Sequence, residues 1–219
     1  MNLSKGGAAV FSRNGIYYHE LYNLVATLNS SRSPANIIQS IVEGVARAMK
    51  AKGCSLMLLT PDRQILLHTA AYGLSDWFVR KGPVKVDKSM EYTLQGNALA
   101  VLDATLDERV QFRRQLRQEG IASVLSVPVT LRDEVIGVMR IYTAIPYQFT
   151  EADILFARMA AGFGAIALEA ARFYQTLQKD YEEFRKDILH WRAELGDEWL
   201  IEPAVEPVKE IPVKIPSGG

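Results

Sequence analysis

Cysteine occurs once in this chain of 219 residues, at Cys54, which leaves no intrachain disulfide framework and suits a reducing, cytoplasmic compartment. Histidine is nearly as scarce. His19, His68 and His190 lie far apart and lack the i, i+4 or C-x-x-C neighbours of metal sites, so no metal centre is expected. Net charge is missing as well, because 25 basic residues meet 25 acidic ones. Without clustered Lys and Arg to displace counterions, neither nucleic acid nor an anionic membrane is an expected partner. No run approaches the roughly 18 uninterrupted apolar residues of a membrane helix. The stretch Ala8–Phe11 is too brief for the apolar core of a signal peptide, and Asn2 stands where a myristoylation motif needs Gly. A soluble protein follows. Nor does any nucleophile stand beside a base, so an enzyme is not expected.

What is present is apolar material arranged in two periods. Residues 123–132 and 134–142 alternate, with Leu125, Val127, Val129 and Leu131 on one side of the first strand and Val135, Gly137, Met139 and Ile141 on one side of the second. The two rows share a sheet face if the connecting loop holds an odd number of residues. The opposite face then carries Val124, Ser126, Pro128 and Thr130 beside Ile136, Val138, Arg140 and Tyr142. Pro128 cannot donate to a ladder, which predicts a bulge or an unpaired position in mid-strand. Upstream, residues 54–60 and 65–72 form a hairpin around Pro61-Asp62-Arg63. Tyr17, Leu21, Leu24 and Leu28 stripe a first helix, expected to pack along the last one. Ser33-Pro34 opens a second, whose apolar face runs from Ile37 to Met49. Residues 73–96 are less regular; a short strand near 98–102 and a helix near 110–119 complete the core.

The last helix starts at Thr150, where Thr150-Glu151-Ala152-Asp153 has capping-box spacing with an acidic variant at its third helical position. From Phe156, through Ala160, Phe163, Ala167, Ala170, Tyr174, Leu177, Tyr181, Phe184, Ile188 and Trp191 to Leu195, apolar residues step by four and three without a break. That is the period of a coiled coil. A helix from Thr150 to Leu195 is about 68 Å long, so Leu177, Tyr181, Phe184, Ile188, Trp191 and Leu195 stay wet unless a second chain covers them. With Leu177, Phe184 and Trp191 at d, Asp180 and Asp187 fall at g while Arg185 and Arg192 fall at e. That pattern favours a parallel homodimer. Beyond Gly196, Pro203, Pro207, Pro212 and Pro216 predict an extended tail.

The run Gly120–Val129, then Val135–Ile141, then Phe149 followed by Asp153 and an Ala-rich helix, resembles the carboxyl half of a GAF domain. Gly96–Asp103 with Asp107 and Arg109 is similar to that family's middle segment, and Cys54–Leu59 with Ile65–Gly73 to its first hairpin. The residues alone give an α+β sheet domain without strand order. The resemblance implies a central antiparallel β-sheet with helices on both faces, GAF/PAS-like, carrying a long C-terminal coiled-coil helix. The expected organisation is a flexible terminus over residues 1–15, the GAF-like domain over 16–172, a coiled-coil extension over 173–195 and a Pro-rich tail over 196–219.

Several groups have two readings. Gly162-Phe163-Gly164-Ala165-Ile166-Ala167 matches a dinucleotide fingerprint, but it sits deep in a helix with no strand before it, so close helix-to-sheet packing is the expected role. Cys54 opens an apolar strand without a polarising neighbour and reads as core. The His beside a bilin-bearing Cys, and the several cysteines of methionine sulfoxide reductases, are both lacking. Of the family's cyclic-nucleotide signature only Phe149 and Asp153 remain. Arg109, Arg113, Arg114 and Arg117 cluster, yet Asp107, Glu108 and Glu119 neutralise much of their charge.

Tyr72, Trp77, Phe78 and Tyr92, with Ser126, Arg140 and Tyr142, make the candidate ligand pocket, suited to a flat apolar molecule with one anionic or carbonyl group. The resemblance implies a cytoplasmic sensory module, dimerised through its N- and C-terminal helices and acting on a partner protein in trans, with no cofactor identified. The alternatives are a ligand-free dimerisation scaffold and, further off, a methionine sulfoxide reductase-like enzyme.

Overall fold

A computed structural model describes residues 12–30, 33–82, 84–86 and 88–195. The expected tail and most of the expected flexible N-terminus lie outside them. In chain order the elements are α1 (Arg13–Ser30), α2 (Pro34–Ala48), β1 (Gly53–Leu59), β2 (Ile65–Tyr72), α3 (Asp76–Val79), β3 (Val84–Lys85), α4 (Lys88–Leu94), β4 (Leu99–Val101), α5 (Arg113–Glu119), β5 (Ser123–Leu131), β6 (Glu134–Thr143) and α6 (Glu151–Leu195). The strands form one antiparallel sheet ordered β3-β2-β1-β6-β5-β4. The chain divides into two compact units, the first ending at Tyr174 and the second beginning at Gln175.

One sheet face is covered by α1, α2 and the first half of α6. Cys54, Leu56, Leu125, Val127, Val129, Met139 and Ile141 meet Ile37, Ile41, Val42 and Val45 of α2 and Phe156, Ala160 and Ala161 of α6 in one dry cluster. The small residues of α6 set how closely it lies. A Cβ on Gly164 would stand 2.9 Å from Leu56 Cδ1, whereas one on Gly162 would meet open space. The stretch Glu151–Trp191 is long and apolar enough to cross a membrane by length and composition, its most apolar window reaching a mean hydropathy of 1.5. Within it Phe156, Ala157, Ala160, Ala161, Ala165, Ala167 and Leu168 serve as core, while Met159 and Ile166 are exposed.

The start of α6 is fixed by the box read from the sequence. Thr150 N–H donates to Asp153 Oδ2 at 2.8 Å and Asp153 N–H donates back to Thr150 Oγ1 at 3.3 Å. The fully buried Asp153 carboxylate also accepts from Tyr17 Oη at 2.6 Å and Tyr147 Oη at 2.8 Å. Burial pushes that carboxyl up, but the bonds from Thr150, Tyr17 and Tyr147 outweigh it and hold it below its ordinary value. Tyr17 stacks on Phe156 with centroids 4.2 Å apart, which binds α1 to α6.

Two one-residue bulges change the faces that strict alternation predicts. The β5–β6 turn holds two residues, Arg132 and Asp133, both left-handed at φ 48° and 67°. An even loop would oppose the two apolar rows. Ile136 is inserted between the pairs Val129–Gly137 and Thr130–Val135, which restores the shared row beyond it. Ile136 thereby packs on the helix side, and Val135 pairs with Thr130 instead of joining Gly137 and Met139. Pro128 is not the site of the irregularity. It keeps its register opposite Val138, and the β4 ladder ends at Ser126, so no neighbour on that side requires a donor from it. In the first hairpin the register shifts at Thr69, between Leu56–Ala70 and Met57–His68.

In the second unit the described residues are helical. Leu177, Tyr181, Phe184, Ile188 and Trp191 are all exposed in the single chain. Arg185 is paired with Glu182 at 3.0 Å, and Lys179 with Glu183 at 3.8 Å. The side chains of Arg192 and Leu195 lie outside the described residues.

Candidate functional site

The sheet face away from α1, α2 and α6 is built differently. Two apolar clusters occupy its ends, one of Phe78, Val101, Val110, Leu116, Ile121, Val124 and Tyr142, the other of Met57, Leu66, Val84, Met90 and Val138. Between them the register aligns Ser55, Arg140 and Ser126 across β1, β6 and β5. This row is a polar belt inside an apolar surround.

Arg140 is 8% exposed. Its Nε donates to Ser126 Oγ at 3.1 Å, its Nη2 reaches Met90 Sδ at 3.3 Å, and it acts on the Tyr142 hydroxyl, itself 3.1 Å from Ser55 Oγ. All of these partners are neutral. Lys81, in the segment after α3, lies half-buried over the Phe78 ring at 3.5 Å and donates to the Phe78 carbonyl at 2.9 Å. Desolvation, with Arg140 nearby, brings the Lys81 ammonium down to about 8, although Glu119 opposes the shift. That Glu119 carboxylate is already engaged. It accepts from Ser75 N–H at 2.9 Å and from the Ser75 hydroxyl, and lies 3.8 Å from Lys52 Nζ. His68 completes the group. Both its ring nitrogens are buried without a partner among the described residues, and desolvation, Lys81 and Arg140 push it down to about 4, so it is neutral at physiological pH.

Of the seven residues proposed from the sequence, five lie together. Arg140 and Ser126 form the belt, and Trp77, Phe78 and Tyr142 form a chain of edge contacts, 5.8 Å from Trp77 to Phe78 and 5.9 Å from Phe78 to Tyr142. Tyr92 on α4 is 47% exposed, and its described bond is a backbone one, its carbonyl accepting from Asn97 at 3.3 Å. Tyr72 is on the wrong side. It pairs with Cys54 and packs against the helix-side core, with the Arg47 guanidinium 5.8 Å from its ring, because the Thr69 bulge separates its parity from that of His68. Lys81, His68, Met90 and Ser55 escaped the sequence reading. Only His68 carried a signal, as an isolated titratable residue in an apolar strand.

The remaining candidates fall elsewhere. Cys54 is buried in the helix-side core, and burial pushes its thiol up, away from the reactive thiolate. Arg109 is held by Asp107 through two nitrogens, at 2.6 and 3.0 Å. Arg113, Arg114 and Arg117 are exposed. Among the described residues no group of three or more His, Cys, Asp or Glu side chains is placed to hold a metal ion.

Comparison with known proteins now has a geometry to meet. None of the curated proteins matches the chain. Among solved structures, the GAF domain of a phosphoenolpyruvate-protein phosphotransferase from Coxiella burnetii superposes with a TM-score of 0.67 at 20% identity, covering 75% of this chain and 99% of that one. The corresponding Acinetobacter domain gives 0.62 at 24% identity, covering 74% and 98%. The free methionine-R-sulfoxide reductase of Neisseria meningitidis gives 0.61 at 14%, covering 80% and 99%. At these identities the likeness is one of fold. The GAF domain family model, however, matches residues 33–168, more than half of the sequence. The chain therefore belongs to the GAF family, whose members are sensory and signalling modules.

Proposed function

We propose that this chain is a cytoplasmic sensor that binds a small molecule on the polar belt of its sheet, assembles as a homodimer through α1 and α6, and passes occupancy to an output protein. The observation that carries the ligand reading is Arg140, a desolvated cation whose partners among the described residues are all neutral. Binding sites combine apolar walls with a few converging polar groups, and the belt between two apolar clusters has that composition. Cys54, the one thiol of the chain, is buried with its proton held on, which supports a binding role over a reductase-like one.

Dimerisation draws support from apolar surface on the helices. In the first unit, Tyr18 and Tyr22 of α1 and Leu155, Met159 and Ile166 of α6 are exposed, and a groove between the helices is lined by Tyr18, Leu155 and Met159. In the second, the exposed row from Leu177 to Trp191 keeps heptad spacing. The same surfaces favour one alternative, a scaffold that dimerises without a ligand. Native mass spectrometry of freshly purified protein separates the two readings, since it reports dimer mass and retained small molecule together. A dimer carrying a molecule of defined mass is the expected result. A dimer without one, and without thermal stabilisation across a metabolite panel, leaves the scaffold. In sedimentation, replacing Phe184 and Ile188 together by Asp should yield monomers; an undiminished dimer removes the heptad row as the interface.

A further inference from the structure

We propose that the polar belt is an anion site whose ligand is a small organic acid, its carboxylate or phosphate group seated against Arg140 and Lys81, with the neutral His68 ring offering one hydrogen-bond donor and one acceptor to the rest of the molecule. This rests on the sensor reading above and names the class of ligand.

The argument begins with charge. A guanidinium taken out of water loses far more solvation than a hydroxyl or a thioether returns, so buried cations are normally matched by a carboxylate. No ion pair involves Arg140 or Lys81 among the described residues. Lys81, brought down by desolvation and by the Arg140 charge, and His68, held neutral by desolvation and by both cations, form with Arg140 an arrangement that an anion stabilises. Glu119, the described acid that acts on Lys81, is committed to Ser75 and Lys52. His68 adds a second, independent sign, because each of its buried nitrogens needs a partner that no described residue supplies. Arginine suits a planar, two-oxygen acid, and Lys81 supplies a point charge that can follow it.

The test uses the full chain in scanning fluorimetry with sodium succinate, sodium formate and sodium phosphate, each against sodium chloride at equal ionic strength, and with succinamide as the uncharged counterpart of succinate. At least one acid should raise the melting temperature saturably, by about 5–10 °C at a hundredfold excess over Kd, while succinamide does not. Succinate or formate acting alone identifies a carboxylate, and phosphate acting alone a phosphate group. Arg140→Met should fold, melt no lower than the parent in plain buffer, and bind the acid at least about tenfold more weakly; Lys81→Met should also weaken it. An acid effect no greater than that of chloride, or one undiminished in both variants, overturns the inference. So does an Arg140→Met protein that melts many degrees lower in buffer, which would make Arg140 a structural cation. If succinamide stabilises the protein as well as succinate does, the anion inference falls while the sensor reading stands. If no compound of this set or of the metabolite panel stabilises the protein and native mass spectra show no retained molecule, both fall.

Discussion

The two faces of one sheet obey opposite rules. Toward the helices, β1, β5 and β6 present Cys54, Leu56, Leu125, Val127, Val129, Met139 and Ile141, an unbroken apolar set. One residue over, the same strands present Ser55, Ser126 and Arg140, with His68 and Lys81 approaching from β2 and from the segment after α3. The first face concentrates stability, and the second holds solvation that folding leaves unreturned. Proteins tolerate such deficits where a ligand makes them good. Under the proposed anion site, stability and recognition are separated by the thickness of a strand.

The comparison is broken most severely on the dry side. Leu56→Ala should cost about 2–5 kcal/mol, since Leu56 has no solvent exposure and packs against α6 at Gly164. Urea denaturation reads this directly, and a loss below 1 kcal/mol would mean the helix layer is looser than described.

Next is the buried acid that caps α6. Asp153→Asn should cost about 1.5–3 kcal/mol near neutral pH, because bonds to a charged acceptor are lost. Since this carboxyl is held below its ordinary value in the fold, its contribution is complete above the unfolded value of about 4 and disappears as pH falls through the folded one. The gap between variant and parent should therefore close on acidification. A gap independent of pH would trace the loss to packing.

On the wet side the expected changes are small or reversed in sign. Lys81 is depressed to about 8 in the fold, against an unfolded value of about 10.4. The unfolded chain binds more protons between those values, so the penalty present at neutral pH is relieved as pH rises across that window. Lys81→Met should flatten this alkaline rise in stability. An unchanged slope would assign it to other groups. Smallest of all, Asp133→Gly should gain up to about 1 kcal/mol at the left-handed turn between β5 and β6, relief of the Cβ clash outweighing the added freedom of the unfolded chain. A loss would show that the Asp side chain, not the backbone, holds that turn.

Much of this was legible in the chain. Thr150 and Asp153 announce the start of α6 through a spacing that capping geometry demands, and Leu125 to Ile141 alternate because one face is dry. What alternation could not convey are Thr69 and Ile136. A single inserted residue has no compositional mark, yet each reverses the parity of everything beyond it. Tyr72 and His68 share a parity in the sequence and are assigned to opposite faces by Thr69. Lys81 was invisible for another reason. It enters the site from an irregular segment, where no period fixes direction, and the His68 and Arg140 it acts with are remote in sequence.

The burial of Cys54 has a practical consequence. As the one thiol in the sequence, fully enclosed and strongly protonated, it should react negligibly with Ellman's reagent or maleimides while the protein is folded. The native chain is thus a clean background for site-directed labelling. A cysteine introduced at Tyr18 or Phe184, both more than 60% exposed, becomes the one position that a fluorophore or spin label reaches. Distances between such labels on two copies can then be measured without first engineering the natural thiol away.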